Sequence, residues 1–244
     1  MTYKLCASED CQELLHDHLL NTGKCCQQVI KNLIIYINQD IGYITGVLHD
    51  IGKALNIYQK KLNYIKTFVG HEIISALIAK YLIDNLDIDI KAKFSIIYAV
   101  LMHHQASGSV YDRFDSLLAI YKELISKDKD FRLLKFDGEV TDVLCDVLGT
   151  IFNREAVSKA IDLCEKNLKR MFKEYNIMKY IMPKEISLST ISLRARHISR
   201  SLCGILMICD KFIASRARAR KGRVDTYYSS AERLIKSLGY NIDY

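Results

Sequence analysis

Proline is almost absent from this 244-residue chain, where Pro183 is the only one. A fold rich in β-turns uses proline and glycine as punctuation, so one proline and 11 glycines predict long helices joined by short connections. No apolar run approaches the roughly 18 uncharged residues of a membrane span, and Met1–Asp10 lacks the basic-then-apolar layout of a secretory leader. Paired C-x-x-C spacing is missing too. These absences predict a soluble, cytoplasmic protein. Its eight cysteines (Cys6, Cys11, Cys25, Cys26, Cys145, Cys164, Cys203 and Cys209) are then expected to be small buried hydrophobes rather than staples or metal ligands. The nearest approach to a phosphate-binding loop, Gly46 to Lys53, has the wrong spacing, and Ala54 stands where Ser or Thr would hold magnesium. That excludes a built-in ATP-driven motor.

What is present is globular. Half of the residues are hydrophobic, 26% are charged and the mean hydropathy is +0.02, which rules out a disordered or fibrous chain. Apolar positions recur at three- and four-residue spacing nearly throughout. Helices are expected in pairs over about 10–37, with a break near Asn21–Gly23, and then singly over 40–49, 70–83, 89–102, 112–126, 153–175, 187–219 and 226–238. Residues 127–152 look like an irregular insertion. With no internal repeat and no linker composition, the expectation is one all-α domain spanning 1–244, with few or no strands.

Charge is uneven. Between Arg194 and Arg223 lie nine basic residues and one acid, Asp210, so this segment carries more positive charge than the net +7 of the whole chain. A basic helical segment over about 187–223 attracts a polyanion, although it could also be an ordinary solvated helix face.

The seven histidines carry most of the chemical information. His49 and Asp50 are adjacent in Leu48-His49-Asp50-Ile51-Gly52-Lys53, at the end of a short apolar helix. Neighbours on a helix point about 100° apart, so both reach one centre only from a helix terminus or around more than one ion. His104 falls beside the stripe of Ile97 and Leu101 with His103 next to it, His71 opens the helix of Ile74, Leu77 and Ile78, and His18 sits among Leu14, Leu15, Leu19 and Leu20. Asp210 interrupts the apolar run Leu202–Ile213, where an unpaired carboxylate costs several kcal/mol, at order-of-magnitude precision, unless a cation receives it. Each group has a plain alternative: a hydrogen-bonded core histidine, or an Asp210 paired with Arg200 or Lys211. One shared cation centre satisfies all of them together.

In their order along the chain, His18, His49-Asp50 within His-Asp-x-Gly-Lys, His71 within Gly-His-Glu, His103-His104 and Asp210 resemble the HD superfamily of metal-dependent phosphohydrolases. The likeness is greatest to the stand-alone HD nuclease of type I CRISPR systems and covers most of residues 14–215. It implies an HD-domain helical bundle with two divalent metal ions, Mg, Mn, Ni, Co or Fe, although a histidine-rich ligand set disfavours a site for Mg alone. It assigns His18, His49, Asp50 and Asp210 to the first ion, and Asp50, His71, His103 and His104 to the second. His18 is preferred to His16 because the family histidine has the same His-Leu setting, and His197 belongs to no motif.

On that resemblance Asp50 is the catalytic bridge, and Lys53, one turn on, would hold the scissile phosphate or the developing charge. Ser75, one turn beyond His71, would support the site or touch substrate, and Arg216, Arg220 and Arg223 would form a positive track for single-stranded DNA, or RNA. The 15 tyrosines offer stacking surfaces, although many belong to the core. The implied setting is CRISPR interference, beside a surveillance complex and a separate helicase. Two other readings remain open. One is a phosphohydrolase of small or cyclic nucleotides, although Gln105-Ala106-Ser107-Gly108-Ser109 departs from the cyclic-dinucleotide pattern. The other is a non-catalytic helical nucleic-acid-binding subunit with a structural metal.

Overall fold

The computed structural model describes residues 4–8, 11, 13–33, 37–60, 67–105, 108–128, 131–182, 192–219 and 226–238. Eleven α-helices order the described chain: α1 Leu15–Asn32, α2 Gln39–Leu48, α3 Asn56–Gln59, α4 His71–Ile83, α5 Ile90–Met102, α6 Val110–Asp128, α7 Val140–Leu148, α8 Arg154–Glu174, α9 Ile177–Ile181, α10 Leu193–Ala219 and α11 Thr226–Ser237. No sheet forms among the described residues, only the isolated bridges Cys6–Leu14 and Leu55–Phe136. The architecture is an all-α helical bundle, as the turn-poor composition predicts.

Local chemistry explains the helix boundaries. The Asn38 side chain accepts from the Asp40 amide at 2.9 Å and opens α2, and Asn153 does the same for α8 through the Ala156 amide at 2.8 Å. Asp17 in the first turn of α1 and Lys31 in its last complement the helix dipole. α4 and α5 are buried around most of their circumference rather than along one stripe, and α4 packs against both α5 and α8. α10 closes the bundle over α1, α2 and α5. Ile41 and Met102 touch both the main core and a smaller core formed by α1, α10 and α11, and so join the two.

Three expectations need correction. α1 runs unbroken through Asn21–Gly23, because Gly23 is a contact glycine rather than a breaker. A Cβ built on Gly46 of α2 would lie 2.6 Å from the Gly23 Cα, and one built on Gly23 would lie 2.7 Å from Val47 Cγ2. The stretch 127–152 is not an irregular insertion. It holds a 3₁₀ turn at Phe131–Leu134 and then α7, which buries Val140, Val143, Leu144 and Val147. The cysteines are not uniformly reduced and buried: Cys6 and Cys11 form a disulfide, and Cys145 is half-buried. The helix expected over 187–219 is described from Leu193 as α10, and its part over 187–191 lies outside the described residues, as does Pro183. No described helix is long and apolar enough to cross a membrane.

Candidate metal centre

Five separated pieces of chain converge on one buried point. α1 delivers His18 from its first turn, and α2 ends on His49, its C-cap, with Asp50 directly after it. Asp50 has left the helical conformation, at φ −114° and ψ 6°, which lets the adjacent pair face one centre. α4 starts at His71, behind Gly70 in the left-handed region at φ 78°. α5 ends on His103, with His104 following, and α10 offers Asp210 from mid-helix. The C-termini of α2 and α5 both point in, bringing the negative ends of two helix dipoles to the site.

The donors form two quartets that share one residue. In the first, His18 Nε2 lies 3.2 Å from Asp50 Oδ2, 3.2 Å from Asp210 Oδ1 and 3.2 Å from His49 Nε2. His49 Nε2 lies 3.3 Å from Asp50 Oδ2 and 3.5 Å from Asp210 Oδ1. In the second, the other Asp50 oxygen, Oδ1, lies 2.7 Å from His71 Nε2 and 3.4 Å from His103 Nε2, and His104 Nε2 lies 3.2 Å from His71 Nε2. Ligand atoms about 2.0–2.2 Å from a common cation stand about 3–3.5 Å from one another, the spacing of all these pairs except the shorter Asp50–His71 contact. Both sets satisfy the geometry of a metal-holding group.

Tautomers decide whether these are hydrogen bonds or ligand shells. His49 Nδ1 donates to the Gly46 carbonyl at 2.7 Å, His103 Nδ1 to the Val100 carbonyl at 2.7 Å, and His71 Nδ1 to the Phe68 carbonyl. In all three the acceptor lies three residues back, and the proton on Nδ1 leaves Nε2 as a bare lone pair aimed inward. Glu13 Oε2 lies 3.1 Å from His18 Nδ1 and favours a proton on that nitrogen by charge, although the two atoms do not meet in hydrogen-bond geometry. Lone pairs on nitrogen then face carboxylate lone pairs at contact distance, which repel unless protons or cations stand between them. Asp50 Oδ1 and His103 Nε2 are buried without a hydrogen-bond partner. Such orphaned atoms and an all-nitrogen-and-oxygen donor set fit divalent first-row metals.

Electrostatics agree. Burial raises the cost of charge on Asp50, yet the surrounding His49, Lys53 and His71 hold its carboxyl well below the usual range. Asp210 is likewise held well below it, against the cost of burial, by hydrogen bonds from His18 and His49. Burial opposes charge on His18, but Glu13, Asp210 and Asp50 outweigh it and raise its pKa well above 6.5; Asp50 and Asp210 raise that of His49 in the same way. His103 is lowered chiefly by burial, and His104 is pushed down to about 2 by burial beside His103 and His71. The metal-free centre thus pairs two acids with two protonatable imidazoles on one side and leaves the other side neutral.

All seven predicted ligands come together here. His16 does not: it points away and pairs with Asp17 at 2.9 Å and Asp146 at 2.8 Å. Lys53 differs from its expected role as a free phosphate clamp, since its Nζ lies 2.5 Å from Asp50 Oδ2 and donates to the Ala7 carbonyl at 3.0 Å. Ser75 is fully buried and so makes no substrate contact. Its Oγ accepts from the Gly52 amide at 2.9 Å and braces the turn after Asp50 against α4. Gly52 is obligatory there, because a Cβ would lie 2.2 Å from the His71 carbonyl. Arg216 is only 8% exposed, on the inner side of α10, so it does not line an open track. Arg220 and Arg223 lie outside the described residues.

Other contributors were not legible in the sequence. Glu13 reaches His18 from five residues upstream, a spacing with no helical meaning, two residues after the loop that the Cys6–Cys11 disulfide closes. Gln59 ties that loop down, accepting from the Cys6 amide and donating to the Cys6 and Lys53 carbonyls. Cys25, Cys26 and Cys209 pack beneath Asp210, where burial raises the pKa of Cys26 and holds that of Cys209 well above the usual thiol range. Comparison with family models, curated proteins and solved structures finds no match.

Proposed function

We propose that the chain is a two-metal phosphodiesterase of the HD type that cleaves single-stranded nucleic acid. The observation that carries this reading is the division of Asp50, with Oδ2 in one quartet and Oδ1 in the other. A pair of divalent cations held by the two quartets would lower the pKa of a water between them and neutralise phosphate charge during in-line displacement. The protein's own part is to fix the ligands from helix ends and to exclude bulk water. Asp50 is 1% exposed, whereas the Asp210 side chain is 16% exposed and His104 is half-buried. Substrate therefore approaches past Asp210 and His104. Lys53 neutralises Asp50 from behind and fixes its orientation.

Substrate class follows from α10. With Arg216 turned inward, the outer face beyond Asp210 carries exposed Lys211, then Ala214, then exposed Arg218, at spacings of three and four. This stripe supports contact with a phosphodiester strand leaving the centre. Such contacts are independent of sequence and weaken with salt. The resemblance adds CRISPR interference and a separate helicase as the setting, and the lack of an ATP-binding loop is consistent with unwinding by another protein. A second reading, hydrolysis of small or cyclic nucleotides, is favoured by the burial of Arg216, which shortens the basic surface. Manganese-loaded protein offered labelled single strands beside a nucleotide panel separates the two. Strand cleavage with an inert panel supports the nuclease, and turnover of the panel alone supports the second reading.

A further inference from the structure

A single guanidinium spans the two helix ends that hold the second quartet. Arg113 lies in the first turn of α6, in a region for which the sequence suggested no role, and it is 6% exposed. Its Nε donates to Glu72 Oε1 at 2.5 Å. Its Nη1 donates to the carbonyls of His104, at 3.0 Å, and Gly108, and its Nη2 to the carbonyl of Leu101 at 3.4 Å. Glu72 is buried and follows His71 directly, and its other oxygen, Oε2, lies 3.7 Å from His71 Nδ1. The acceptors Leu101 and His104 bracket His103. Apart from the Gly108 carbonyl, the partners of Arg113 therefore lie at the two helix ends that carry His71, His103 and His104, and none is His18, His49 or Asp210.

A buried ion pair is a poor source of net stability, since desolvating two charges offsets most of their attraction. The geometry here serves another end. The last carbonyls of α5 have no helical partners, and a planar guanidinium with several donors in a fixed fork can satisfy them at one fixed angle to α4. Lysine, with one point charge on a flexible stem, cannot hold the same set. Outer partners of metal ligands set ligand orientation and typically govern affinity by about 10–100-fold.

We infer that Arg113, with Glu72, is the positioning pair for the second metal ion: it locks His71, His103 and His104 into register and leaves the first ion's ligands unaffected. The inference rests on the two-metal reading above. It is tested by titrating Mn²⁺ into metal-stripped full-length protein by calorimetry, with electron paramagnetic resonance to distinguish spin-coupled pairs from isolated ions. Parent protein is expected to bind two ions and show a coupled signal. The charge-neutral double variant Glu72→Gln/Arg113→Gln, and separately Arg113→Lys, keep the tighter event within about twofold, lose the other by at least about tenfold, and give an isolated-ion spectrum. Arg113→Lys retains the buried positive charge, so it remains informative if the double variant folds poorly. Equal weakening of both events, or no change in either, overturns the inference while two-ion binding by the parent stands. A parent that binds fewer than two ions overturns the inference and the reading beneath it.

Discussion

His18 and His49 face each other through Nε2 atoms 3.2 Å apart, with His49 Nδ1 committed to the Gly46 carbonyl and His18 Nδ1 facing the Glu13 carboxylate at 3.1 Å. Two imidazoles so oriented, with Asp50 and Asp210 oxygens 3.2–3.5 Å from both, form a nest of lone pairs that only protons or a cation can fill. The same atoms must therefore switch between binding protons and binding metal.

That competition sets a pH dependence. The pKa values of His18 and His49 are raised above 6.5 in the metal-free fold, so their stabilising contribution is complete below pH 6.5 and is lost as pH rises through the raised values. Metal needs the deprotonated rings, so its affinity climbs over the same interval. Melting temperature of the stripped protein is expected to fall as pH rises well above 6.5, where the lowered His103 and His104 are neutral both folded and unfolded, and the fall should disappear at saturating Mn²⁺. A stripped protein whose melting temperature rises over that interval would contradict the assignment.

Replacing individual ligands should separate the quartets. Asp50→Ala removes a donor from both and is expected to lower strand cleavage at least about 100-fold, with helical content retained by circular dichroism. Asp210→Ala touches only the first quartet and should leave one binding event in a metal titration. Equal loss of both events in Asp210→Ala would mean that the two sets are one site.

The α1–α2 contact admits no side chain at its centre. Gly46→Ala forces its Cβ against the Gly23 backbone, where no flexible group can yield, and should cost about 1–3 kcal/mol in denaturant unfolding. Gly138→Ala, whose Cβ would meet nothing within 4 Å, serves as the control with little effect.

The outer face of α10 makes its own test. Lys211→Ala with Arg218→Ala should weaken single-strand binding and reduce the salt slope by about 1.4, at about 0.7 for each phosphate contact, while turnover of a small diester is unchanged. Arg216→Ala should instead act on folding, because that side chain is buried. Equal loss on strand and small diester would refute the stripe.

The ligands were legible in the sequence because helix periodicity and residue type coincide at them. A polar residue on or beside an apolar stripe, as with His104 after Ile97 and Leu101, must find a partner, and the pattern shows this without coordinates. What stayed hidden depends on contacts between distant segments. Gly23 reads as a breaker until α2 is laid against it. Arg113 reads as one more charge on an amphipathic helix until its turn is seen beneath the end of α5. Arg216 shares a periodicity with Arg220 and Arg223, but spacing alone does not say which face of α10 is covered by α5 and α1. The helix over 140–148 was missed because Gly138 and Gly149 flank a short, acid-bearing segment whose buried residues make a stripe of only two turns.

The most direct test of the two-cation centre is anomalous diffraction from crystals grown with Mn²⁺. Two peaks are expected, both touching Asp50, one within ligand distance of His18, His49 and Asp210, the other of His71, His103 and His104. A single peak, or two of which one lacks Asp50, would contradict the account.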